Sequence, residues 1–75
     1  MTNNASDFQA AVGFAAGEIF HSLEGRRNGS DLNTLRKELS HLDEPILYQG
    51  MGWLMREDKL QVRHANGTLV MSVIR

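Results

Sequence analysis

The spacing of apolar residues changes once along this chain of 75 residues, from the 3.6-residue period of an amphipathic helix to the two-residue period of a strand. The change falls near residue 60. Beyond it, Asn66-Gly67 predicts a two-residue hairpin turn of type I′, which requires positive φ at both positions. The turn predicts the pairs Leu60–Val73, Val62–Met71 and His64–Leu69 on one face and Gln61–Ser72 and Arg63–Val70 on the other. We therefore expect helices followed by a C-terminal hairpin with one apolar face.

The first predicted helix starts at a cap on Ser6 or Asp7 and reaches about Glu24. Its inward stripe has helical spacing and consists of Phe8, Val12, Ala15, Ala16, Ile19, Phe20 and Leu23. Two glycines in residues 25–29 end this helix, and residues 30–32 are long enough only for a short strand. Residues 1–6 hold no large apolar group, so we predict a disordered tail there and a single domain over residues 7–75.

Two further helices are predicted before the hairpin. Asn33 is the expected cap of helix 2, which ends near Ser40. Helix 3 has a stronger start signal, with Asp43 as its cap and Pro45 in its first turn, and it extends to about Glu57. Its inward face is predicted to contain Leu47, Gly50, Met51, Leu54 and Met55. The order helix, short strand, helix, helix, hairpin predicts an α+β winged helix-turn-helix fold, with the hairpin as the wing.

One segment resembles a known family. Gly52-Trp-Leu-Met-Arg-Glu-Asp-Lys59, preceded by Leu35-Arg-Lys-Glu-Leu39, is similar to short stand-alone winged helix-turn-helix proteins of prokaryotes whose function is not established. The resemblance covers about Val12 to Val73, and its core is Gly-Trp-Leu-x-Arg-Glu-x-Lys. Asp58 stands where such proteins usually have glycine, but aspartate tolerates a left-handed backbone. The resemblance implies a winged-helix fold and a homodimer, and it implies no known activity.

The outward face of helix 3 carries few groups that could read a base. Gln49 and Arg56 on this face, with Arg63 on the wing, are the candidate DNA contacts. Residues 31–59 contain four basic and six acidic residues, and two of the acids stand at the start of helix 3, where they would face phosphates. Charge therefore disfavours duplex DNA as a partner, although DNA-binding proteins use this fold.

Helix 1 has a second face without charged residues. The candidate residues for self-association are Ala10, Gly13, Phe14, Gly17 and His21 on this face, together with Trp53 on helix 3. Two glycines inside a helix cost about 1 kcal/mol each relative to alanine, and close approach of another helix would offset that cost. The alternatives are that helix 2 or the N-terminal tail packs on this face, and that Trp53 fills the edge of the core instead of an interface.

Several classes of function lack their sequence signals. The chain has no cysteine, its three histidines lie on different elements, and its glycines form no phosphate-binding loop. We therefore predict no catalytic residue, metal, cofactor or small-molecule substrate. No signal peptide or membrane-spanning run is present, so a cytoplasmic location is expected.

The sequence thus favours a non-catalytic winged-helix interaction module, expected to be homodimeric or to bind another protein. The alternative is a transcriptional regulator that binds duplex DNA through helix 3 and the wing.

Overall fold

A computed structural model describes the backbone of residues 5–75 and the side chains of residues 7–75. The elements follow the predicted order: α1 (Ala5–Glu24), β1 (Ser30–Asp31), α2 (Leu32–Glu38), α3 (Glu44–Arg56), β2 (Leu60–Ala65) and β3 (Thr68–Val73). The strands form an antiparallel sheet in the order β1-β3-β2. This arrangement confirms the α+β winged helix-turn-helix fold.

The N-terminal boundary differs from the prediction. Residues 1–4 of the predicted tail lie outside the described residues. Ala5 and Ser6 belong to α1, which therefore begins before the expected caps at Ser6 and Asp7.

The hairpin has the predicted register at every position. Val62 pairs with Met71 at its centre, and the pairs on either side follow in step to Leu60–Val73 and Ala65–Thr68. Asn66 and Gly67 have φ values of 55° and 78°, as a type I′ turn requires. Met71 is fully buried on the apolar face, so the turn placed the correct side of each strand against the helices.

The core lies where α1 crosses α3 above the sheet. It is formed by large apolar side chains from every helix and from the hairpin, among them Ile19, Leu23, Leu35, Leu47, Leu54 and Met71. Gly50 permits this crossing, because a Cβ at residue 50 would lie 3.1 Å from the backbone nitrogen of Ala16. The glycine therefore lets α3 lie against the backbone of α1.

Two side chains that were predicted to face the core are exposed. Phe8 is 48% exposed, because the buried side chains of α1 begin only at Val12. Met55 is 43% exposed, since it lies about 100° around α3 from the buried Leu54. Phe20, by contrast, packs against the core while remaining half-buried.

The capping predictions succeed for α3 and fail for α2. Asp43 precedes α3 as expected, with Pro45 in the first turn, although the Asp43 side chain makes no capping hydrogen bond.

The cap of α2 is Asp31 and not Asn33: the Asp31 carboxylate accepts a hydrogen bond of 2.8 Å from the Thr34 amide. This hydrogen bond holds the pKa of the Asp31 carboxyl below its usual range. Helix α2 also ends at Glu38, before the predicted Ser40.

The connection from α3 to the wing confirms one expectation from the sequence. Asp58 has a φ of 60°, the left-handed conformation that a glycine would otherwise supply.

Candidate functional site

The outward side of α1 forms an open apolar surface. We call it the α1 surface and define it by the five residues predicted there, namely Ala10, Gly13, Phe14, Gly17 and His21. Phe14 is 63% exposed, and a Cβ on Gly17 would meet nothing within 4 Å. A shallow hollow of about 340 Å³ lies beside Phe14, between Gly13 and His21, with Glu18 at its rim.

Helix α2 does not cover the α1 surface. It meets α1 on a different side, where the Ser22 hydroxyl donates a hydrogen bond of 3.0 Å to the Glu38 carboxylate. Ala10, Phe14, Gly17 and His21 are all exposed. The alternative in which helix 2 packs on this face is therefore wrong. The alternative in which the N-terminal tail packs there depends on the side chains of residues 1–6, which lie outside the described part of the chain.

Trp53 joins the α1 surface to α3. Its ring lies on Gly13: the Cη2 atom is 3.4 Å from the point where a Cβ of residue 13 would lie. The side chain nevertheless remains 42% exposed. Trp53 thus covers the edge of the α1–α3 contact, as one of the two alternatives predicted, and it also presents apolar area to solvent; its role in an interface stays a prediction.

A second hollow lies on the outward side of α3, next to Trp53. We call it the α3 hollow. It has a volume of about 510 Å³ and is lined by Val12, Tyr48, Gln49, Gly52, Trp53, Arg56 and Glu57. Gly52 leaves its centre open, because a Cβ there would meet nothing within 4 Å. Tyr48 and Arg56 lie one helical turn before and after this glycine. The sequence pattern did not predict this hollow. Its signal in the sequence was a glycine, Gly52, that stands four residues after an aromatic residue and four residues before an arginine.

The three candidate DNA contacts are only partly brought together. Gln49 and Arg56 both line the α3 hollow and so share one side of α3, the outward side on which the helical spacing placed them. Arg63 is exposed on β2, where it pairs with Val70, and it does not line the hollow.

Two arginines, one in the helix-turn-helix region and one just before it, form ion pairs with carboxylates. Arg36 of α2 forms an ion pair with Glu44, the first residue of α3, and Arg26 forms one with Glu38. The Arg26 guanidinium and the Ser22 hydroxyl hold the pKa of the Glu38 carboxyl below its usual range. Because a carboxylate lies beside each of these arginines, the net positive charge available to a phosphate backbone is reduced there.

The histidines lie apart from one another. His21 lies near Glu24 on α1, at 3.2 Å, whereas His41 contacts Glu18 and so ties the α2–α3 turn to α1. Within the part of the chain that the structure describes, no group of three or more His, Asp or Glu side chains could hold a metal ion. No helix in the described residues is both long and apolar enough to cross a membrane.

The comparison with protein families agrees with this architecture. Residues 1–73 match the family model described as "Winged helix-turn-helix domain (DUF2582)". The comparison with curated proteins finds no match. Winged helix-turn-helix domains are typical of nucleic-acid-binding and regulatory modules, whereas the Gly-Trp motif and the prokaryotic origin stay predictions. Since the match covers nearly the whole chain, the protein belongs to the winged helix-turn-helix domain family DUF2582.

Proposed function

We propose that this chain is a non-catalytic interaction module that forms a homodimer through the α1 surface. The observation that carries the proposal is the exposure of Phe14. Its side chain is 63% exposed in the middle of a helix, and it lies near Gly17, where an added Cβ would meet nothing within 4 Å. Burying a phenylalanine side chain stabilises a protein by about 1.5–3 kcal/mol. A second copy of the chain would supply that burial.

The α1 surface has two features that a self-complementary interface would use. Each copy presents one projecting ring, Phe14, and one hollow beside it, between Gly13 and His21. In a twofold dimer the Phe14 of each copy would enter the hollow of the other, because a twofold interface uses the same patch on both subunits. Gly17 would let the two helices approach closely at their crossing.

The charges around the α1 surface are compatible with this pairing. None of the five residues that define it is acidic or permanently basic. Glu18, the carboxylate at its rim, is in contact with His41. Trp53 extends the apolar area on one side of Gly13, and we place it at the border of the interface.

The test is the mass of the protein in solution. Analytical ultracentrifugation of the wild type is expected to give a dimer, and Gly17→Glu is expected to give a folded monomer, because it places a carboxylate at the helix crossing. Gly25→Glu is the matched control: it adds the same charge at another exposed glycine whose Cβ would meet nothing within 4 Å. A wild-type monomer, or a Gly17→Glu dimer, would contradict the proposal.

The second candidate function is binding of duplex DNA. Family membership favours it, and so does Arg56, which lies on the outward side of α3 and forms no ion pair with a described carboxylate. The expected signature is an affinity that falls with salt. Arg56→Ala and Arg63→Ala would each reduce the slope of log K against log salt by about one ion. If the protein shows no salt-dependent binding to mixed-sequence duplex DNA, this function is excluded.

A further inference from the structure

We infer that the α3 hollow, which adjoins the α1 surface at Trp53, is a second binding site for an extended peptide segment that carries one apolar side chain and one carboxylate. The apolar side chain occupies the space above Gly52, and the carboxylate binds Arg56. This inference goes beyond self-association, and because Trp53 borders both surfaces, the Gly17→Glu variant described below tests the peptide site without the dimer.

Aromatic and apolar side chains form the walls of the hollow. Trp53 lies against Gly13 of α1, with its Cη2 atom 3.4 Å from the point where a Cβ of residue 13 would lie. Val12 is buried beside it at the base of the hollow. Tyr48 forms the opposite wall, one turn before Gly52. Tyrosine and tryptophan supply a large contact area to an apolar side chain at a low cost in conformational entropy.

The charges of the hollow match a ligand with a single negative group. Arg56 is the cation among the lining residues, and no described carboxylate lies within ion-pair distance of it. Glu57 is also at the rim. With one arginine and one glutamate, the hollow would not attract a polyanion, which needs several cations. Arginine does bind a single carboxylate well, through two parallel hydrogen bonds.

The spacing of these groups fits an extended chain. Gly52 and Arg56 are four residues apart on α3, which corresponds to about 6 Å along the helix axis. In an extended peptide, residues two apart point to the same side and are separated by about 6.6 Å. A peptide lying along α3 can therefore place an apolar residue over Gly52 and an acidic residue two positions later at Arg56. The Gln49 amide can then hydrogen-bond to the peptide backbone.

The chain contains a built-in probe for this site, because Trp53 is its only tryptophan. We would titrate the protein with the capped peptide acetyl-Gly-Leu-Gly-Glu-Gly-amide, and with the same peptide in which Gln replaces Glu. A saturable change in Trp53 fluorescence is expected with the Glu peptide, together with amide shifts confined to α3 and the start of α1. The Gln peptide is expected to bind about 1.5-fold to fivefold more weakly, the range of an exposed ion pair.

Variants separate the site from the rest of the fold. Gly52→Leu is expected to abolish peptide binding, because the new side chain fills the hollow without meeting a neighbour at its Cβ. Arg56→Gln should bind the Glu and Gln peptides equally, whereas Arg63→Gln, the matched cation control, should bind like the wild type. Gly17→Glu should also bind the peptide normally, so the loss of the dimer and the loss of this site give different results.

Three outcomes would overturn the inference. The first is that neither peptide changes Trp53 fluorescence or the α3 amides at millimolar concentrations. The second is that Gly52→Leu binds the peptide as the wild type does. The third is that a mixed-sequence duplex shifts the α3 amides in an Arg56-dependent manner and the peptide does not, which would assign this face to DNA.

Discussion

Asp31 belongs to two elements at once. Its backbone pairs with Val70 as the last residue of β1, while its carboxylate caps α2. The sheet holds Asp31 in an extended conformation, with φ −77° and ψ 164°, and an N-cap residue needs such non-helical angles. Asn33 has an equally suitable side chain, so the sequence alone could not decide between them. The pairing of β1 with β3 decided it.

The cap predicts a pH dependence that a single substitution removes. Because the pKa of Asp31 is lowered in the folded state, its stabilising effect is present above the usual carboxyl range and is lost as pH falls through the lowered pKa. Asp31→Asn keeps a capping side chain that does not titrate. We therefore expect the wild type and Asp31→Asn to have similar melting temperatures at about pH 7. On acidification to about pH 2, the melting temperature of Asp31→Asn should fall less than that of the wild type. Circular dichroism checks this, and equal losses would contradict it.

At the scale of elements, the contact between α1 and α3 depends on glycines that the sequence pattern cannot tell apart. Gly50 and Gly52 are two residues apart on the same helix, and both lie near aromatic or apolar residues. Gly50 faces the backbone of α1, with Ala15, Ala16 and Ile19 within 3.2 Å of an added Cβ. Gly52 faces solvent. Which of them is required for packing follows from the crossing of the helices.

Alanine at these two positions should have opposite effects on stability. Gly52→Ala is expected to raise the free energy of unfolding by about 0.5–1 kcal/mol, because alanine favours the helix and meets no neighbour. Gly50→Ala is expected to lower it by about 1–2 kcal/mol, because overpacking against a helix backbone outweighs the gain in helix propensity. Urea denaturation measures both changes. Equal stabilities for the two variants would show that the α1–α3 contact is not tight.

At the scale of the whole molecule, the proposed dimer bears on the stability of a small domain. On folding, a chain of 75 residues buries a smaller fraction of its surface than a larger domain does, so its free energy of unfolding is expected to be small. Phe14 and Trp53 leave apolar area in solvent at the junction of α1 and α3. A partner subunit would remove this area from water and add to stability.

Self-association predicts that thermal stability depends on protein concentration. Binding of a second folded copy stabilises the native state by mass action, so the melting temperature of the wild type is expected to rise by a few degrees for each tenfold increase in concentration. Gly17→Glu should melt at the same temperature at every concentration. Differential scanning calorimetry over a concentration series checks both. A wild-type melting temperature independent of concentration would count against the dimer.

The sequence by itself determined the order of the elements, the register of the hairpin and the start of α3. These features depend on neighbours in the chain: the turn at Asn66-Gly67 sets which residues of β2 and β3 face each other, and Pro45 favours the first turn of a helix. The same local rules placed Gln49 and Arg56 on the outward side of α3. Together they were sufficient for the fold that the family match also supports.

Only the tertiary structure decided which apolar residues are covered. Phe8 and Met55 have the helical spacing of the buried residues, and their exposure depends on how far the crossing of α1 and α3 extends. The contact of Trp53 with Gly13 and the open space at Gly52 arise from the same crossing. The physical reason is that burial and the shape of a hollow are properties of packed elements, whereas periodicity and turn chemistry are properties of a single segment.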